Sequence, residues 1–104
     1  MAAVHISQLP AISQKMMEKG IRAQISATRR LVGLLDVEHP PIQEVVAAGV
    51  VPRLAAFLTN FKWPLLQREA AWVLMHIAAG TAEQARVVAE SGAVPLGAAP
   101  AVAV

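Results

Sequence analysis

The stretch that decides the fold is PLLQREAAWVLMHIAAGTAEQ, residues 64–84. It begins with a proline, which suits the first turn of a helix, and Gly80 ends the helical pattern. At about 100° per residue five of its apolar side chains fall on one stripe, so we predict a helix over 65–79 that buries one face. Thr81 has Gln84 three residues on, as in a capping box, and this pair predicts a further helix over 82–90. The buried stripe is predicted to consist of Leu66, Ala70, Val73, Leu74 and Ile77.

The rest of the chain carries the same punctuation, with prolines near helix starts and glycines near helix ends. Strand signals are almost absent, so the sequence predicts an all-α protein. The further helices are predicted over residues 9–19, 21–35, 42–48 and 51–58.

An internal repeat organises these helices. A shift of 43 residues places Val45, Gly49, Val51 and Pro52 on Val88, Gly92, Val94 and Pro95, and Gln24, Ala27 and Leu31 on Gln67, Ala70 and Leu74. A period of this length is typical of HEAT and armadillo repeats, whose helices stack into an α-solenoid. We therefore predict two armadillo-like repeats within 9–95, at about 9–38 and 41–80, with a third beginning at 81. Residues 1–8 are an N-terminal extension, and 96–104 are a low-complexity tail.

The composition limits the kinds of partner that we expect for this chain. Hydrophobic residues make up 56% of the chain and charged residues 15%, an apolar balance for a short chain, so we expect self-association through exposed repeat ends. The densest basic stretch, residues 15–30, has no interleaved aromatic residues, which argues against nucleic-acid binding. No apolar run is long enough to predict a membrane span, and no secretory signal precedes the repeats.

No pattern in the sequence indicates an enzyme, a metal site or a bound cofactor. The histidines His5, His39 and His76 lie far apart, and neither a phosphate-binding loop nor a nucleophile elbow is present. Trp72 and His76 are four residues apart and share a second face of the long helix, away from the apolar stripe. That tryptophan is interpreted either as a recognition residue or as packing against an adjacent repeat, and spacing does not separate the two.

Several stretches resemble the first two armadillo repeats of importin-α, the adaptor family that carries nuclear-localisation-signal cargo. The residues that carry the resemblance are PPIQEVVAAGVVPRL (40–54), QREAAWVLMHIAAGTAEQARVV (67–88), ESGAVP (90–95) and, before them, ATRRLVGLL (27–35). The resemblance implies a non-enzymatic adaptor found in cytoplasm and nucleus, with Lys/Arg-rich signal peptides as its partners.

In that family a tryptophan projects from the third helix of a repeat and holds the stem of a cargo Lys or Arg, and an asparagine four residues later binds the peptide backbone. Attraction between an ammonium and an indole face is worth about 0.5–2 kcal/mol, which makes this chemistry sound. By resemblance, Trp72 is the slot residue, and Leu35 stands at a groove edge. The implied peptide-binding residues are Trp72, His76, Ala78, Gly80, Thr81 and Leu35.

The chain also departs from the family pattern. His76 replaces the asparagine and cannot reproduce a carboxamide that donates and accepts at once. The basic amino-terminal segment that binds importin-β is missing, so we do not expect importin-β as a partner. The later repeats are missing too, which suggests a truncated copy. The alternatives are a structural solenoid piece without cargo binding, and a scaffold armadillo module with a different peptide ligand.

Overall fold

Six α-helices and no strand make up the part of the chain that the computed structural model describes, residues 4–92. The all-α prediction is confirmed. The predicted tail over 96–104 lies outside the described residues, as do the first three residues of the predicted extension. After a 3₁₀ turn at Ile6–Gln8, the helices are α1 (Leu9–Met16), α2 (Ile21–Leu35), α3 (Ile42–Ala47), α4 (Val51–Phe57), α5 (Pro64–Ala78) and α6 (Ala82–Glu90).

Local chemistry sets most of the helix ends. Pro10, Pro52 and Pro64 occupy the first turns of α1, α4 and α5, where a missing N–H costs nothing. The chain leaves α3 and α6 through Gly49 and Gly92, whose φ angles of 79° and 91° lie in the left-handed region that favours glycine. These signals act within one turn of the chain, which explains why the observed bounds of α2 to α6 agree with the prediction to within one residue.

The start of α6 is fixed by the predicted capping box. The Gln84 backbone N–H donates to the Thr81 hydroxyl at 3.1 Å, and the Thr81 N–H donates to the Gln84 side-chain oxygen at 2.8 Å. The Gln84 amide nitrogen also donates to the side chain of Gln43 at 3.2 Å. One buried glutamine therefore caps α6 and ties it to the residue at the start of α3.

The first helix, α1, is shorter than predicted and ends at Met16 rather than at residue 19. Arg53 of α4 donates to the carbonyl of Met16 at 2.8 Å and to that of Glu18 at 3.1 Å. The Gln24 side chain donates to the same Glu18 carbonyl at 2.9 Å. The carbonyls of Met16 and Glu18 at the end of α1 are thus hydrogen-bonded by side chains. One of these side chains, Arg53, is 37 residues from Met16 in sequence.

The helices stack in the manner of a solenoid. Helix α2 packs between α1 and α5, and α5 in turn packs against α4 and α6. One apolar core runs through all of these contacts, and burying each large aliphatic side chain in it contributes about 1.5–3 kcal/mol. The largest fully buried side chains include Met16, Leu31, Leu35, Leu54, Leu66 and Ile77.

The polar groups inside this core are hydrogen-bonded. The Thr28 hydroxyl donates to the Gln24 carbonyl at 2.7 Å, and within residues 4–92 no buried side-chain nitrogen or oxygen lacks a partner. The same residues contain no cluster of three or more His, Asp or Glu that could hold a metal ion. None of the described helices combines the length and the apolar character that crossing a membrane requires.

Candidate peptide-binding surface

Helix α5 presents two faces, as its periodicity predicts. The five residues of the predicted apolar stripe are all buried, and they turn α5 toward α2 and α4. Trp72 and His76 lie on a second face of α5, away from that stripe, and are both half-buried. Because they are one turn apart on the same face, their rings are held next to each other.

The two rings form a stack. The centroids of the Trp72 and His76 rings are 3.7 Å apart, and the planes differ by 23°. The Nδ1 atom of His76 lies 2.9 Å from the Trp72 carbonyl oxygen. A carbonyl only accepts, so Nδ1 must carry the proton that it shares in this bond. The imidazole is therefore fixed over the indole by one hydrogen bond and one stacking contact.

Spacing left two interpretations of Trp72 open, recognition or packing, and the structure shows packing together with partial exposure. One part of the side chain packs against the apolar core. The remainder is exposed to solvent beside His76. Trp72 is thus anchored by packing while part of its ring stays available at the surface.

A charge pair lies on the same side of α5. Glu69 precedes Trp72 by three residues, and its carboxylate oxygen is 3.7 Å from Nε of Arg29 on α2. The side chain of Glu69 is 20% exposed, against 64% for Arg29. No sequence motif marks this pair. Its only signal is that the repeat shift of 43 residues places Arg29 on Trp72, and therefore next to the α5 face.

Part of the equivalent surface on α2 is covered, although Arg29 on it is exposed. The repeat shift places Gly33 on His76, and a side chain at Gly33 would meet Val4, whose Cγ2 lies 3.1 Å from the position of the missing Cβ. The residues before α1 therefore cover this part of α2. The open surface belongs to α5, with Arg29 at its border, and we call Glu69, Trp72 and His76 the α5 platform.

Leu35 is a correction. It was expected at a groove edge, but only 2% of it is exposed, and it belongs to the core where α2 ends. Its apolar side chain is therefore not available to a peptide. The resemblance indicated the correct helix end but not the direction of the side chain, which depends on how α2 packs against its neighbours.

The other three expected residues do not join the platform. Ala78 packs against the core and lies about 120° around α5 from Trp72. Gly80 is needed because a side chain there would collide with the Gln84 amide oxygen. The hydroxyl and the N–H of Thr81 are both used in the cap of α6. Of the six residues, only Trp72 and His76 are brought into contact with each other by a ring stack.

Comparison with known proteins places this architecture in a class. Residues 38–79 match the armadillo/beta-catenin-like repeat family, and this range contains α3, α4 and α5. The chain is thus an armadillo-repeat protein, and the predicted fold class is confirmed.

The relatives narrow the class further. The chain is 48% identical over 89 residues to importin subunit alpha-1b of rice (Oryza sativa subsp. japonica) and 51% identical over 74 residues to importin subunit alpha-6 of Arabidopsis thaliana. It is 44% identical over 90 residues to importin subunit alpha of Saccharomyces cerevisiae. These matches cover 85%, 70% and 86% of the chain but 17%, 14% and 17% of the relatives. The chain is therefore a homologue of importin subunits alpha that spans about a sixth of their length.

Proposed function

We propose that the chain binds Lys/Arg-rich peptides of the nuclear-localisation-signal type on the α5 platform, as an adaptor in protein import into the nucleus. The observation that carries this proposal is Trp72, an anchored indole with exposed surface beside the carboxylate of Glu69. An indole face attracts cations, and a nearby carboxylate adds to the attraction. The homology to importin subunits alpha supports the same function, with residence in cytoplasm and nucleus.

The expected affinity is low. The platform offers one tryptophan, and a histidine stands where a carboxamide would hold the peptide backbone. Two of its groups already have partners within the chain, since Arg29 pairs with Glu69 and His76 covers part of Trp72. We expect a dissociation constant between about 1 mM and the high micromolar range, or about −4 to −6 kcal/mol.

Those internal partners also favour a second candidate function, a structural armadillo module that binds no basic peptide. In that case the charge pair and the ring stack are ordinary surface contacts between and within repeats. A scaffold module for another ligand is distinguished by its peptide preference, since it would bind neutral or acidic sequences at least as well as basic ones.

The test is a titration of a fluorescent Lys/Arg-rich peptide against the wild type, Trp72→Ala and Trp63→Ala. Trp63 is the other tryptophan and lies before α5, away from the platform, so it serves as the matched control. We expect Trp72→Ala to lose the binding that the wild type and Trp63→Ala share. Equal binding by Trp72→Ala and the wild type would refute the site, and stronger binding of an acidic peptide would favour the scaffold.

A further inference from the structure

The ring stack has a consequence for which basic side chain the platform accepts. The imidazole of His76 lies over the indole of Trp72 at 3.7 Å and is held there by the bond from Nδ1 to the Trp72 carbonyl. His76 follows Trp72 by one turn, so it covers the indole face that points toward the C-terminal end of α5. Trp72 is half-buried, so part of its surface stays exposed, and Glu69 lies on the other side of the indole from His76 along the helix.

We propose that His76 makes this platform selective for arginine over lysine, an inference that rests on the proposed peptide binding. A slot with an accessible aromatic face on each side encloses the alkyl stem of either arginine or lysine. With one face covered, a guest meets a single flat surface. A guanidinium is planar and weakly hydrated, so it stacks on one aromatic face, whereas an ammonium is a compact and strongly hydrated charge that gains less from one wall.

The position of Glu69 favours the same choice. It lies one turn before Trp72, on the side of the indole away from His76, with its carboxylate 3.7 Å from the guanidinium nitrogen of Arg29. A guanidinium has five donors in one plane, and it can therefore stack on the ring while its edge donates to a carboxylate. An ammonium at the end of a lysine stem cannot combine the two contacts in this way.

The experiment compares two peptides of the same sequence in which every basic residue is either arginine or lysine. For the wild type we expect the arginine peptide to bind about fivefold more tightly, as one added cation–π stack implies. In His76→Asn the indole face is uncovered, and the ratio should fall toward one because the lysine peptide gains. In His76→Phe a stacked ring remains, so the preference should persist.

His39→Asn is the matched control, because His39 is exposed in the loop between α2 and α3, and its ratio should equal that of the wild type. Circular dichroism verifies that each variant keeps its helix content. Equal binding of both peptides to the wild type, or an unchanged ratio in His76→Asn, overturns the selectivity but leaves the peptide site standing. Binding of neither peptide overturns the proposed function and the selectivity with it.

Discussion

The indole of Trp72 has three different surroundings: the apolar core, the imidazole of His76 and solvent. Trp72 lies on the face of α5 away from the buried stripe, one turn before His76, and part of its side chain still packs against the core. Packing already holds the Trp72 ring in place, so little entropy is lost in ordering the ring when a peptide binds. This is the advantage of a preorganised site. Glu69 and Arg29 add a charge pair to the same face, and this pair determines how much negative charge a basic guest meets.

Changing that pair should change peptide binding in opposite directions. Glu69→Gln removes the carboxylate and should weaken binding of a basic peptide by a factor of about 1.4 to 5, because exposed charge pairs are worth about 0.2–1 kcal/mol. Arg29→Gln removes the internal competitor and should strengthen binding by a similar factor. Fluorescence anisotropy at low and high salt measures both effects. Arg30→Gln, at the exposed neighbouring position, controls for net charge, and equal changes in both arginine variants would contradict the role of Arg29.

At the scale of the helices, two sets of side-chain contacts are expected to matter for stability. They are the cap of α6 and the contacts of Arg53 on α4 with the end of α1. The capping box at Thr81 satisfies two backbone N–H groups at the start of α6, a helix of only nine residues. Arg53 of α4 reaches the end of α1, and its guanidinium carbon also lies 5.2 Å from the centroid of the Phe57 ring. In the described residues Arg53 is the main polar link between the first and the second repeat. Substitution of Thr81 or of Arg53 should therefore lower the free energy of unfolding measurably.

Thr81→Ala should destabilise the fold by about 1 kcal/mol, since it removes the acceptor for the Gln84 N–H. Urea unfolding followed by circular dichroism measures the loss. Ser13→Ala is the matched control, because that hydroxyl donates to the Pro10 carbonyl within α1 and caps no helix start. A loss of similar size in both variants would show that the cap has no special weight.

Arg53→Ala should cost about 2 kcal/mol of stability, because two hydrogen bonds from a charged group to the carbonyls of Met16 and Glu18 disappear together. Arg53→Lys keeps the charge but not the fork, and it should recover only part of the loss. Arg68→Ala, at an exposed position of α5, should change stability by less than about 0.5 kcal/mol. An Arg53→Ala variant as stable as Arg68→Ala would refute the link.

At the scale of the whole molecule, the stacking of repeats leaves a side of α5 exposed that is buried on α2. On α2, Thr28 is fully buried where α5 packs, yet the repeat shift places Thr28 on Ala71, which is exposed on α5. Met75, one turn further on, is 62% exposed. In the described residues α5 therefore shows an apolar side that in α2 is covered by the following repeat.

We predict that the chain associates with itself through this side. Ala71→Glu places a charge there and should lower the apparent mass in light scattering at high protein concentration, because burying an unpaired carboxylate is unfavourable. Ala11→Glu, at an exposed position of α1, is the matched control and should associate as the wild type does. Association that is equal in both variants would place the contact elsewhere.

Much of the fold follows from sequence because its causes are local. The predicted bounds of α2 and α6 are those observed, and the prolines, the glycines and the Thr81 cap all act within one turn. The buried stripe of α5 was also predicted correctly, since helical periodicity alone selects it. The closeness of Trp72 and His76 follows from the same geometry.

Tertiary structure decided the remainder, because it depends on residues far apart in the chain. The carbonyl of Met16, where α1 ends, accepts a hydrogen bond from Arg53, 37 residues later. Leu35 is buried rather than at a groove edge because α2 turns that side into the core. Arg29 meets Glu69 only when α2 packs against α5. Sequence by itself determined the helices and their apolar faces, whereas packing between repeats decided which polar groups meet, since side chains on different helices become neighbours only when those helices pack together.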